Sequence, residues 1–307
     1  MTPFLLYQVK AGICIMLFTA LYYALFRKET FLWFNRFYLV SAMVFSCILP
    51  AIRLQGISLG NDRISTVVLG TVSVYASEII PDNVRELKAG SVLSWVYAGV
   101  AAVLAMYLVV QLIMMLVKVL HHEPTRYGRY RIISLPEELH SFSFFHVVFL
   151  GRYALKEGDN DRVMQHELAH ARQWHSLDIV ILQLIKVFQW FNPFIYLAEK
   201  ALQETHEYLA DTAVLEQDGQ PDRYRLLLLT RVFGIQPGIF SFFNQSLLKN
   251  RLTMMTKEKS PPRNRLKYLA ALPLVCVLGL MMCCSTNEPD DSACQNISMV
   301  QSLCLPG

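Results

Sequence analysis

Gln165-His166-Glu167-Leu168-Ala169-His170 is the stretch from which the rest of this chain is read. It lies in a helical pattern that starts after Lys156-Glu157-Gly158, with Asp159 or Asn160 as N-cap, and runs to about His175. Residues four apart on a helix share a face one turn above each other, so His166 and His170 can grip a single ion. Glu167, one position on, projects beside that ion, as a general base for water must. Zinc suits neutral imidazole, and a catalytic zinc keeps three protein ligands and one open position.

The third ligand has to come from another element. Asn192-Pro193 places a capping residue before a proline at the first helical position and starts a helix to about Gln217, where Gly219 and Pro221 stop it. That helix offers Glu204, His206, Glu207 and Asp211. Glu207 and Asp211 share a face, which reads as Glu207 on the metal with Asp211 behind, orienting a ligand imidazole. His206 points about 100° away and is the alternative. Between the two helices lies a third, 177–191, with Ser176 as its cap. It is apolar on nearly every side, as expected of a core helix or one lying on a bilayer. His175 and Asp178 are expected to fix the turn before it, and His121, His122, His140 and His146 have no metal spacing.

Hydrophobic residues make up 54% of the chain and charged residues only 17%. Soluble proteins carry about a quarter charged residues, so the balance indicates a membrane protein. Four apolar runs, at about 4–26, 37–52, 92–119 and 268–284, approach the ~20 residues that cross a bilayer as a helix. The first lacks the basic start and cleavage site of a signal peptide. Most of the 28 basic residues fall in 121–267, and Arg27, Lys28 and Arg36 fall in the first loop. The positive-inside rule therefore puts those two segments in the cytoplasm, and the loop 53–91 and both termini outside. The +4 charge follows from that topology and does not require nucleic acid.

The expected architecture is mainly α: a membrane domain at 1–120 with three transmembrane helices, a cytoplasmic α+β domain at 121–267, a fourth transmembrane helix at 268–284 and a short external tail at 285–307. The α+β domain opens with two expected strands, 129–133 and 141–150, separated by Pro136. It continues past a helix at 222–233 into a basic linker, 250–267, with Pro261-Pro262. None of the seven cysteines falls in 121–267, so thiolates are not expected in the metal site. Cys294 and Cys304, in the tail, have the option of pairing.

The layout of four spans with the zinc domain before the last, together with the runs 166–178, 188–194 and 206–211, resembles the integral-membrane metallopeptidases of the BlaR/MecR antirepressor type. The resemblance implies a gluzincin-like cytosolic fold, Zn2+ on His166, His170 and Glu207, and catalysis by Glu167. It also implies cleavage of a cytoplasmic DNA-binding repressor, expected to be of the winged-helix type, or of the protein itself, in signal transduction across the cell's inner membrane. Such receptors carry a large sensor, in the best-known members a penicillin-binding domain, where this sequence has only its short tail, so β-lactam sensing is not expected. A membrane quality-control metalloprotease and a non-catalytic signalling remnant are the two alternatives.

Overall fold

Among the described residues, three helices, Phe4–Phe26, Leu32–Ala51 and Val92–His121, are long and apolar enough to cross a membrane. The computed structural model describes residues 3–51, 89–134, 141–151, 160–218, 220–233 and 241–284. Helix α1 (Pro3–Leu21) passes into a π-helical turn, Tyr22–Phe26, and α2 (Leu32–Ile48) into a 3-10 turn, Leu49–Ala51. Helix α3 spans Ala89–His121. The second run begins five residues earlier than the sequence suggests, so Arg36 lies inside α2 rather than before it. Its charge is tolerated there because Nε donates to Asp178 Oδ2 at 2.6 Å and Nη2 donates to the Gln173 carbonyl at 2.6 Å.

The fourth apolar run starts as a 3-10 helix, Pro262–Ala270, before the last helix, Ala271–Cys284. The 14 α-helical residues rise about 21 Å, short of a ~30 Å hydrocarbon core. The loop 53–88, the cap position Asp159, the stop at Gly219 and the tail with Cys294 and Cys304 lie outside the described residues.

The sheet has four strands in the order β1-β2-β4-β3. Strands β1 (Thr125–Tyr127) and β2 (Tyr130–Ser134) form a hairpin at Gly128, whose φ of 60° suits a residue without Cβ. The run 141–150 is not one strand, as its β-branched and aromatic content suggested. It folds back at Phe145-His146 into β3 (Phe142–Phe144) and β4 (Val147–Leu150), with β4 parallel to β2 and β3 at the edge. Phe145 takes a φ of 49°, and its N–H donates to Ser176 Oγ at 3.0 Å. Ser176 thus braces this turn and is not a helix cap.

Five helices follow: α4 (Asn160–Arg172), α5 (His175–Phe188), α6 (Pro193–Asp218), α7 (Pro221–Phe233) and α8 (Ser241–Thr256); the last helix, Ala271–Cys284, is then α9. Helix α4 stops three residues short of His175 because Trp174 enters the left-handed region at φ 58°, and α5 starts at His175 itself. Asn192 caps α6 as expected, its Oδ1 accepting the Phe194 N–H at 3.0 Å. The basic stretch 250–267 is not all linker: up to Thr256 it is the end of α8. Leu248 and Leu252, one turn apart, together with Met255 pack α8 on Val214 and Tyr224.

One apolar core unites α1, α2, α5, α6 and α9, with Ile15, Phe18, Leu39, Met43, Leu182 and Leu202 at its centre. The sheet covers α4 through Val148, Leu150, Leu168 and Ala171. Helices α4 and α6 therefore meet between the sheet and the apolar bundle, and their facing sides carry the polar residues singled out above.

Candidate metal centre

His166 and His170 stand one turn apart on α4, and Glu207 faces them from α6; donor atoms of the three lie within 4.8 Å of one another. The contacts are tighter than that limit. Nε2 of His166 and Nε2 of His170 are 3.2 Å apart, His166 Nε2 is 3.4 Å from Glu207 Oε2, and His170 Nε2 is 3.5 Å from Glu207 Oε1. Two ligands bonded at 2.0–2.1 Å to a tetrahedral zinc stand about 3.3–3.4 Å apart. The three donors thus form one face of a zinc-sized tetrahedron, made of the neutral imidazoles and single carboxylate that zinc accepts.

The remote imidazole nitrogens are held as well. Ligation through Nε2 requires the proton on Nδ1, and each Nδ1 has a partner. His170 Nδ1 shares a hydrogen bond with His175 Nδ1 at 2.8 Å, and His175 Nε2 is 3.1 Å from Gln173 Oε1. His166 Nδ1 is 3.0 Å from the Tyr224 hydroxyl, which donates to Asp211 Oδ1 at 2.8 Å. Asp211 does stand behind His166, at 3.4 Å from Nδ1, but Tyr224 makes the closer contact.

Arg251 of α8 closes the cluster. Its Nε and Nη2 grip the two Asp211 oxygens at 2.9 and 2.5 Å, while Nη1 is 2.9 Å from Glu207 Oε2. Burial opposes charge on both acids, yet hydrogen bonds and charges from His166 and Arg251 hold their pKa values below the usual carboxylate range. His206 points elsewhere: it stacks on His175 with ring centroids 4.0 Å apart, and its Nε2 is 2.9 Å from Asp178 Oδ2. Glu167 is buried beside His166, with 9% of its surface exposed. Of the residues expected at the site, His166, His170, Glu207 and Asp211 come together, Glu167 is known by its burial and its place next to His166 on α4, and His206, His175 and Asp178 form the adjoining hydrogen-bonded layer.

Sequence reasoning missed Tyr224 and Arg251. Tyr224 sits in a helix that had been expected without any role. Arg251 was counted among the basic residues near the membrane, although Leu248, Leu252 and Met255 carry a helical spacing that would have placed it on a packed element.

Protons and metal compete here for the same imidazole nitrogens. Burial alone would lower the His166 pKa, but Asp211 and Glu207 override it and raise it to about 9. His170 is driven down to about 3, first by burial and then by His166. Without metal, His166 therefore stays protonated through neutral pH, and ligation must displace that proton. Zinc affinity is expected to fall on the order of tenfold per pH unit below about 9, and uptake at pH 7 to release a proton. Competition titrations with a zinc indicator at pH 6, 7 and 8 measure the slope; a flat profile contradicts this account. Tyr224→Phe removes the hydroxyl that fixes His166, so equilibrium titration should show zinc affinity lower by about 10- to 100-fold.

His170 and Glu207 also line a cleft of about 580 Å³, whose walls are Leu108, Leu112 and Met115 of α3 and Ser143 and Phe144 of β3. The open side of the donor triangle thus faces a largely apolar cavity beside an edge strand.

Residues 147–255, which contain β4, α4 to α7 and most of α8, match the family model described as BlaR1 peptidase M56. The match supports the BlaR/MecR-type family read from the sequence and suggests a metallopeptidase. No curated protein shows a match to the chain.

Proposed function

From the match of residues 147–255 to that family model, we propose that the protein is a membrane-embedded zinc endopeptidase acting in signal transduction. Its substrate on this reading is a cytoplasmic transcriptional repressor, the chain itself, or both. The observation that carries it is the donor triangle with edges of 3.2, 3.4 and 3.5 Å, backed by a hydrogen-bonded partner at each remote imidazole nitrogen. A zinc ion held by His166, His170 and Glu207 would supply Lewis acidity. Glu167 is the residue that would accept a proton from water on its carboxylate and return it to the leaving amine.

The surroundings suit a peptide. Among the described residues β3 is an edge of the sheet, the position at which an extended chain can pair, and its Ser143 and Phe144 line the cleft. Arg251 holds Glu207 and Asp211 charged and in place, so the ligand set is organised before substrate arrives. Helices α1, α2 and α3, with the apolar run 268–284 as a fourth span, anchor the protein in the inner membrane, with the metal centre on the cytoplasmic side and both termini outside.

The purified full chain, reconstituted with zinc, tests this against a repressor partner and against itself. New N-termini detected by mass spectrometry are expected, lost on chelation and restored by zinc. Zinc bound stoichiometrically with no chelator-sensitive cleavage of either substrate would count against the endopeptidase reading.

A further inference from the structure

We infer that α5 and α6 form a hairpin that re-enters the bilayer beside α1 and α2, from the side of the metal centre, with its outer face against lipid acyl chains. The inference rests on α1 to α3 being membrane spans and is independent of the peptidase chemistry.

Two levels of the bundle fix the hairpin's depth. At the lower level, Arg36 near the start of α2 donates to Asp178 near the start of α5 at 2.6 Å. At the upper level, the Tyr7 hydroxyl of α1 donates to the Cys47 carbonyl of α2 at 2.5 Å. Gln189, just past α5, donates there to the carbonyl of Gln8 at 3.0 Å and to its Oε1 at 2.7 Å. From Arg36 to Cys47 and from Asp178 to Gln189 the helical rise is the same, about 16 Å. Helix α5 thus climbs as far as α2 does between the same two levels, more than half of a ~30 Å hydrocarbon core. Tyr97, near the start of α3, reaches the same tip, its hydroxyl donating to the Phe188 carbonyl. Helix α6 then returns along α1, from Asn192 beside Gly12 to Thr205 beside Tyr22.

A turn at that depth must satisfy its own backbone, because acyl chains offer no hydrogen bonds. The Asn192 N–H donates to the Gln189 carbonyl at 2.9 Å, and the Phe194 N–H to Asn192 Oδ1 at 3.0 Å. Asn192 Nδ2 donates to the Gly12 carbonyl at 3.2 Å. Gly12 permits the approach: a Cβ there would lie 3.1 Å from Gln189 Oε1.

Near the hairpin's tip Lys186 and Glu199 neutralise each other. Lys186 Nζ donates to Glu199 Oε2 at 2.7 Å, and Gln183 Nε2 donates to Glu199 Oε1 at 2.6 Å. Paired charge turned toward protein is how a bilayer tolerates such residues. The other face is apolar and open: Leu184, Phe188, Phe191 and Leu197 are each more than 40% exposed. The inner sides of α5 and α6, with Leu182, Ile195 and Ala198, belong to the same core as α1 and α2, so this surface continues that of the spans. A hairpin that enters and leaves on one side alters no loop's side and leaves the charge asymmetry intact.

The full wild-type chain in phospholipid vesicles whose acyl chains carry a diazirine tests this directly. After photolysis, peptides covering 184–197 should carry lipid adducts within about threefold of the yield on the α3 peptide containing Val103. The peptide containing Asp222, whose side chain is 94% exposed on α7, should stay at background. Adducts on α3 but none on 184–197 would mean that water or another protein copy covers the face, and would overturn the inference. Absence of adducts on α3 as well would remove the spans and the inference together.

Discussion

Glu167→Gln is expected to bind zinc as the wild type does and to hydrolyse peptide about 100- to 10,000-fold more slowly, the range that a general acid–base group supplies. The substitution keeps size and hydrogen bonding at a position that is 9% exposed, and it leaves His166, His170 and Glu207 untouched. What changes is one property: an amide cannot take a proton from water near neutral pH. The effect should therefore appear in kcat, with zinc affinity as the internal control. Loss of activity together with loss of zinc would mean only that the site had collapsed, and Glu167→Asp, which restores a carboxylate one methylene shorter, should then recover zinc before it recovers rate. Full activity in zinc-loaded Glu167→Gln would dismiss Glu167 as the base.

The local chemistry of the centre was legible because it is written in helical spacing. His166 and His170 sit four apart, Glu207 and Asp211 sit four apart, and the Asn192-Pro193 cap fixes where the second pair's helix begins. What spacing cannot encode is which elements from far along the chain close the cluster. Arg251 approaches from α8, forty residues past Asp211, and Tyr224 from α7; both are ordinary residues in their own segments. The errors share a cause. Ser176 was read as a cap because it precedes an apolar run, but its hydroxyl is engaged by the turn at Phe145, a partner on another element. The run 141–150 has uniform strand composition, and only the hydrogen bond to Ser176 and the positive φ of Phe145 show where it folds. Arg36 was placed outside a span because an isolated charge belongs there; Asp178, more than a hundred residues on, pairs it inside α2.

That pairing joins the membrane helices to the metal centre through a short series of contacts. Asp178 accepts from Arg36 and from His206, His206 stacks on His175, and His175 holds His170. On the far side Arg251 belongs to α8, which leads through residues 257–270 to α9. Both ligand-bearing helices, α4 and α6, are thus tied to the apolar helices, which on the proposed topology gives a displacement of the spans a physical route to the ligands.

The second large effect concerns the third ligand. Glu207→Ala should weaken zinc binding by more than the roughly 10- to 100-fold that an outer hydrogen-bonding partner is worth. Two losses combine: a bond to the ion disappears, and Arg251, whose Nη1 lies 2.9 Å from Glu207 Oε2, is left beside the cation with one acid fewer. His206→Ala should do much less. Its Nε2 is committed to Asp178 at 2.9 Å and its ring lies flat on His175, so its removal loosens the support of His170 without taking a donor from the triangle. Asp211→Asn belongs between them, within the 10- to 100-fold range, because it weakens the hold on His166 through Tyr224 and leaves Arg251 half-neutralised. Glu207→Gln separates the two contributions: it keeps an oxygen donor but gives up the charge, so it should bind zinc more tightly than Glu207→Ala and less tightly than the wild type. Equilibrium zinc titration of the four variants at one pH gives the order. Tight zinc in Glu207→Ala with loss in His206→Ala would require the two side chains to exchange places, and the donor triangle would then no longer describe the working site.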